Sequence, residues 1–103
     1  MVARTWSGTA KRDRIDAYLM HLREKTLPAL AGIAGHRGAF VLQRPSSDGV
    51  AVTVITLWES VESISHFAGP DPERAVVPAE ARTMLATWDE CAVHWDIAQV
   101  TEL

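Results

Sequence analysis

Apolar and polar positions along this chain switch between an alternating pattern and a helical one, and the switches divide it into elements. Val2 to Ser7, VARTWS, alternates as a short strand that Gly8 ends, and Thr9 is placed to cap a helix. From Ala10 onward Ile15, Leu19, Leu22, Thr26, Leu30 and Ile33 fall on one face of that helix. Pro28 predicts a kink or restart within it, because proline lacks an N–H and crowds the preceding turn. Gly32 and Gly35 end it. AFVLQR at 39–44 and AVTVITLW at 51–58 read as strands joined by the turn residues Pro45 to Gly49, hence an antiparallel hairpin. The second of these is apolar throughout, so both of its faces require cover.

Glu59 to Phe67 reads as a short helix capped by Ser60, with Ile64 and Phe67 turned inward. Gly69, Pro70 and Pro72 break it, and Glu73 to Val77 adds one more turn. Pro78 suits the first position of a helix running to Trp88. CAVHWDIAQV, 91–100, is the fourth strand. The order is β-α-β-β-α-β, which predicts a ferredoxin-like α+β fold: an antiparallel sheet with helices on one face. Ile55 and Ile97 are available to the other face, which a second copy would cover. Two such sheets, face to face, would form a homodimeric α+β barrel.

Length and charge narrow the function classes. The 103 residues form a single expected domain over 1–103. A composition of 48% hydrophobic and 22% charged residues is that of an ordinary globular domain. The net charge of −3 and the lack of a basic stripe argue against a nucleic-acid partner. The apolar runs are too short for a membrane span, and MVARTWSG lacks the apolar core of a signal peptide, so a cytoplasmic protein is expected. Cys91, the single cysteine, permits neither a disulfide nor a cysteine zinc site and is expected to be a buried, inert thiol. No nucleotide-binding glycine loop, no G-x-S-x-G and no H-E-x-x-H occurs. The histidines lack metal-ligand spacing, so neither a metal nor a cofactor is expected.

Several side chains are candidates for chemistry. Trp58, at the end of the third strand, either stacks on a flat ligand or fills the core. His94 shares a strand face with Asp96, as an oriented general base or an interface residue. His66, beside Phe67 on the short helix, is a second candidate base. His36, in the Gly35–Gly38 loop, is expected to be solvated, and His21, among helix charges, to lie on the surface. Tyr18 borders the inner face of the long helix and either bonds a ligand or packs. Arg4 shares a strand face with Trp6; within a cavity it would bind an anionic or quinone oxygen, and at a sheet edge it would be a solvated charge or a dimer salt bridge.

The stretches T-L-W-E-S at 56–60, H-F-A-G at 66–69, R-A-V-V-P at 74–78 and V-H-W-D-I at 93–97 together resemble the antibiotic biosynthesis monooxygenase domain family. The resemblance implies a dimeric α+β barrel. It also implies either O₂-dependent, cofactor-independent oxidation of phenols or quinols, or opening of the haem ring. Trp58 matches the family tryptophan that lines a cavity between sheet and helices. The haem-degrading branch also uses a first-strand asparagine and a helical histidine. Ala3–Trp6 contains no asparagine and Glu73–Val77 no histidine, so haem binding or degradation is disfavoured. The expected activity is oxygenation of a small aromatic, phenolic or quinol substrate, with His66 or His94 as base and Trp58, Tyr18, Arg4 and Phe67 around the substrate. The alternative is a non-catalytic dimeric module for ligand binding or stress response, sheltering a small apolar or aromatic ligand.

Overall fold

The structure, a computed structural model, describes residues 1–102. Strand β1 (Val2–Ala10) lies at the centre of an antiparallel sheet ordered β2-β3-β1-β4, where β2 is His36–Ser46, β3 is Gly49–Trp58 and β4 is Leu85–Trp88. A further strand, β5 (Val93–Asp96), also pairs with β1. The β1–β3 register sets Val2 opposite Trp58, Arg4 opposite Thr56, Trp6 opposite Val54 and Gly8 opposite Val52. Side chains alternate across a strand, so these pairs all face the helices. Ala3, Thr5, Thr53, Ile55 and Leu57 occupy the opposite, open face, with Phe40 and Leu42 of β2 and Val93 and Trp95 of β5 exposed there. This is the ferredoxin-like arrangement, with helices on one face only.

The long helical segment runs over that sheet in pieces. A 3₁₀ turn at Arg12–Arg14 leads into α1 (Ile15–His21), a π-helical stretch at Leu22–Thr26, and α2 (Leu27–Ala31). The Leu27 N–H bonds the Leu22 carbonyl. The wider π turn lets Pro28 follow without its ring striking a carbonyl one turn back, and an α-helix restarts there with Pro28 in the first turn of α2, the restart being one of the two outcomes expected. Helix α3 (Val61–Ala68) begins at Ser60, whose hydroxyl accepts from the Ser63 N–H at 3.3 Å. Two apolar clusters fill the space beneath. One gathers Tyr18, Leu22, Val52, Val77 and Leu85; the other gathers Val2, Leu30, Trp58 and Ile64.

Several local expectations change. β1 runs through Gly8 to Ala10, and Thr9 pairs within the sheet instead of capping a helix. Gly8 is needed because the Trp6 ring lies across it: a Cβ there would stand 2.9 Å from the ring. The expected helix from Pro78 to Trp88 shrinks to α4 (Ala79–Arg82), and Leu85–Trp88 becomes β4. The second half of β1 would otherwise keep an unpaired edge, and its hydrogen bonds outweigh a short run of helix propensity. The expected fourth strand contracts to β5 because residues 90–92 turn away. They bond Glu73–Ala75 instead: the Ala92 N–H reaches the Glu73 carbonyl at 2.7 Å, and Ala75 reaches Glu90 at 3.0 Å. Residues 73–77 are accordingly irregular, not helical, with Glu73 in a turn and Arg74 in a single bridge to Cys91. Cys91 lies in this detour and is exposed, not buried.

The β2–β3 turn supplies a stability test. Gly49 has φ +144°, and a Cβ there would overlap the Ala10 carbonyl oxygen. Gly32 meets nothing closer than 3.8 Å. In urea unfolding, Gly49→Ala is expected to destabilise the protein by about 2 kcal/mol or more. Gly32→Ala is expected to be neutral or to stabilise by about 0.5 kcal/mol.

Candidate functional site

The helix-facing register of β1 and β3 places polar side chains beneath the long helix, and a cavity of about 50 Å³ lies there. Arg4, Tyr18, His21, Thr56, Phe67 and Val76 are among the residues that line it. A larger groove of about 430 Å³ crosses the sheet from β2 to β4, but the charged side chains on it, Arg44 and Asp89, are exposed. Of these two spaces, the smaller is the one with buried polar side chains.

Arg4 is 5% exposed. Its Nη2 donates to the Arg74 carbonyl at 2.8 Å and its Nε to the Pro72 carbonyl at 3.5 Å. The guanidinium carbon lies 5.6 Å from the centre of the Phe67 ring. Burial lowers the Arg4 pKa, though an arginine stays charged at neutral pH. Tyr18 is 3% exposed, and burial pushes its hydroxyl up to about 12, so it remains a neutral donor. Its ring stacks on His21, with centroids 6.4 Å apart.

His21 is the residue that the sequence reading misplaced. It is 6% exposed, not a surface side chain, and neither ring nitrogen has a hydrogen-bond partner among the described residues. Its Nδ1 lies 3.7 Å from Oε2 of Glu80, on α4. The same oxygen accepts from Lys25 at 2.7 Å, and that bond chiefly holds the Glu80 carboxyl below its ordinary pKa. The available signal was spacing. His21 stands three residues after Tyr18, so both sit on one helix face, beside charges that point outward.

The other expected site residues divide. Arg4, Tyr18 and Phe67 come together on the cavity. Trp58 does not line it: the ring is fully buried against Val2, Leu30 and Ile64. Its contribution passes through Thr56, whose Oγ1 accepts the indole N–H at 2.8 Å and whose own proton is left to face other partners. His66 is exposed on the last turn of α3 and is not among the lining residues. His94 pairs across from Arg4 on the helix-facing side, outside the cavity lining, and its Nε2 is buried without a partner. His36 is half-buried in β2, not in a solvated loop, with its ring edge-on to Trp58 at 5.1 Å. Among the described residues no cluster of His, Cys, Asp and Glu is arranged to hold a metal ion, and no helix is long and apolar enough to cross a membrane.

No family sequence model and no curated protein matches this chain. Solved structures do. A Bacillus cereus protein assigned as an antibiotic biosynthesis monooxygenase superposes with a TM-score of 0.68 at 16% identity, covering 100% of this chain and 96% of that one. A Chloroflexus aurantiacus protein assigned to the same class gives 0.64 at 20% identity, covering 98% and 96%. A monooxygenase of Streptomyces coelicolor, in complex with nanaomycin D, gives 0.63 at 15% identity, covering 99% and 91%. The chain therefore has the fold of the antibiotic biosynthesis monooxygenases along its whole length.

The histidines outside the cavity make stability depend on pH. Burial, and then the Arg4 charge, hold His94 below its ordinary 6.5, against the opposing influence of Glu73 and the Pro72 carbonyl. Burial lowers His36 in the same sense. Below pH 6.5 the unfolded chain binds protons that the folded chain excludes. Stability is therefore full above that value and declines as the pH falls through it. Thermal unfolding between about pH 7.5 and about pH 5 should show Tm falling on acidification, with a shallower fall in the His36→Gln, His94→Gln double variant.

Proposed function

We propose that the protein is a cofactor-independent, monooxygenase-like enzyme for a small phenolic or quinol substrate bound between sheet and long helix. The observation that carries this reading is His21, a buried imidazole with no hydrogen-bond partner among the described residues, on a cavity whose apolar lining is broken by Arg4, Tyr18 and Thr56. In this role His21 Nε2 accepts the substrate hydroxyl proton, and the Glu80 carboxylate beside Nδ1 stabilises the resulting imidazolium. Tyr18 and Thr56 hold the developing oxyanion. The phenolate carbon is oxidised by O₂ and forms the new C–O bond. Protonation gives a hydroperoxide, and loss of water together with the ring C–H proton leaves a quinone, so each O₂ yields one carbonyl oxygen and one water. The 50 Å³ space is water-sized, so a ring enters only as Phe67 and the irregular segment around Val76 yield. His66 and His94 have no part in this scheme.

That small volume is also the observation that favours the second reading, a binding module without turnover. Nanaomycin D, the ligand of the Streptomyces coelicolor neighbour, and dihydroxynaphthalenes are suitable first probes. The enzyme reading expects O₂ uptake equal to dihydroxynaphthalene consumed, label from ¹⁸O₂ in the quinone, and a kcat about 10²-fold lower or worse in His21→Gln with binding retained. Binding without O₂ uptake supports the module, and absence of binding removes both readings.

We further propose a homodimer through the open sheet face, where Phe40, Leu42, Val93 and Trp95 are exposed. Light scattering should give twice the chain mass, and Phe40→Glu with Trp95→Glu should halve it; a monomeric unmodified protein overturns the dimer.

A further inference from the structure

We infer that the natural ligand of this cavity carries a fixed negative charge, a carboxylate or an equivalent oxyanion, that pairs with Arg4. The inference rests on the proposed ligand-binding role of the cavity and adds the substrate class. Buried arginines are ordinarily matched by a carboxylate, because an unpaired charge away from water is costly. Arg4 is buried, lines the cavity, and has no carboxylate within ion-pair distance among the described residues. Its described partners are two backbone carbonyls and the face of Phe67. Those carbonyls use two of the five guanidinium donors; the donors on Nη1 have no acceptor among the described residues and are not sealed from water, so they are open to a ligand. His94, opposite Arg4 in the β1–β5 register, cannot supply the missing negative charge. The remainder of the lining is largely apolar, with Leu22, Leu30, Val54 and Val77 beside the polar groups already named. Such a space suits an apolar body with one anionic end. A ligand anion at Arg4 and a ligand hydroxyl at His21 together describe a hydroxylated aromatic acid.

Salicylate and its neutral amide, salicylamide, are matched in size and differ in the charge. Calorimetric titration of the unmodified protein is expected to show salicylate binding at least tenfold more tightly, with the Arg4 Nε–Hε NMR signal shifting on its addition. Arg4→Gln should abolish the preference while Arg4→Lys keeps part of it. If Arg4→Gln does not fold, the NMR shift in the unmodified protein decides. Equal binding of the two compounds overturns the anion while leaving an aromatic-binding cavity intact. A preference that survives in folded Arg4→Gln, or an unmoved Arg4 signal, also overturns it. O₂ uptake is measured separately with dihydroxynaphthalene, so loss of the oxygenase reading is distinguishable from loss of the anion.

Discussion

The hydrogen bonds from Arg4 to the carbonyls of Pro72 and Arg74 join the centre of the sheet to a segment that has no regular structure of its own. Residues 69–78 satisfy only part of their backbone groups internally, Asp71 accepting from the Glu73 and Arg74 N–H groups, and the segment is held besides by the Arg4 contacts and by the bonds to residues 90–92. With that segment in place, Val76, Val77 and Pro78 close one side of the space that the long helix covers on the other. The same contacts explain the divided fourth strand, because residues 90–92 leave β1 to reach this segment. A charged side chain facing inward from the central strand thus organises the region beneath the helices.

The core shows how bulk and polarity are shared out. Trp58, Leu30 and Ile64 are sealed, and the indole N–H is satisfied within its own strand by Thr56. The ring is thereby withdrawn from the cavity, and the polar groups that line it are smaller neighbours. Tyr18 and His21 come from the helix, Arg4 and Thr56 from adjacent strands, and Glu80 from a single helical turn beyond.

Much of the fold was legible because its signals are local. The hairpin followed from two apolar runs around Pro45–Gly49, α3 from its serine cap, and the one-sided sheet from the order of elements. Tyr18 and Phe67 were legible as site candidates because helical spacing places them at inner faces, whereas Arg4 was legible only as sharing a face with Trp6, its cavity and sheet-edge readings both open. The misreadings concern residues whose state depends on distant partners. Leu85–Trp88 has a plausible helical pattern and becomes a strand only because β1 presents an open edge to it. His21 stands among outward-pointing charges, and only the approach of α4 and the sheet buries it.

By itself, the sequence determined the alternation of strands and helices, the one-sided sheet, the shared strand face of Arg4 and Trp6, and the place of Tyr18 beside the inner face of the long helix, since backbone periodicity and turn chemistry act over a few residues. Only the tertiary structure decided that Trp58 is core, that His21 and not His66 or His94 lines the cavity, and that Arg4 is buried with no countercharge among the described residues. Burial and charge pairing are set by groups far apart in the chain, Arg4 meeting Pro72 and Arg74, and His21 meeting Glu80.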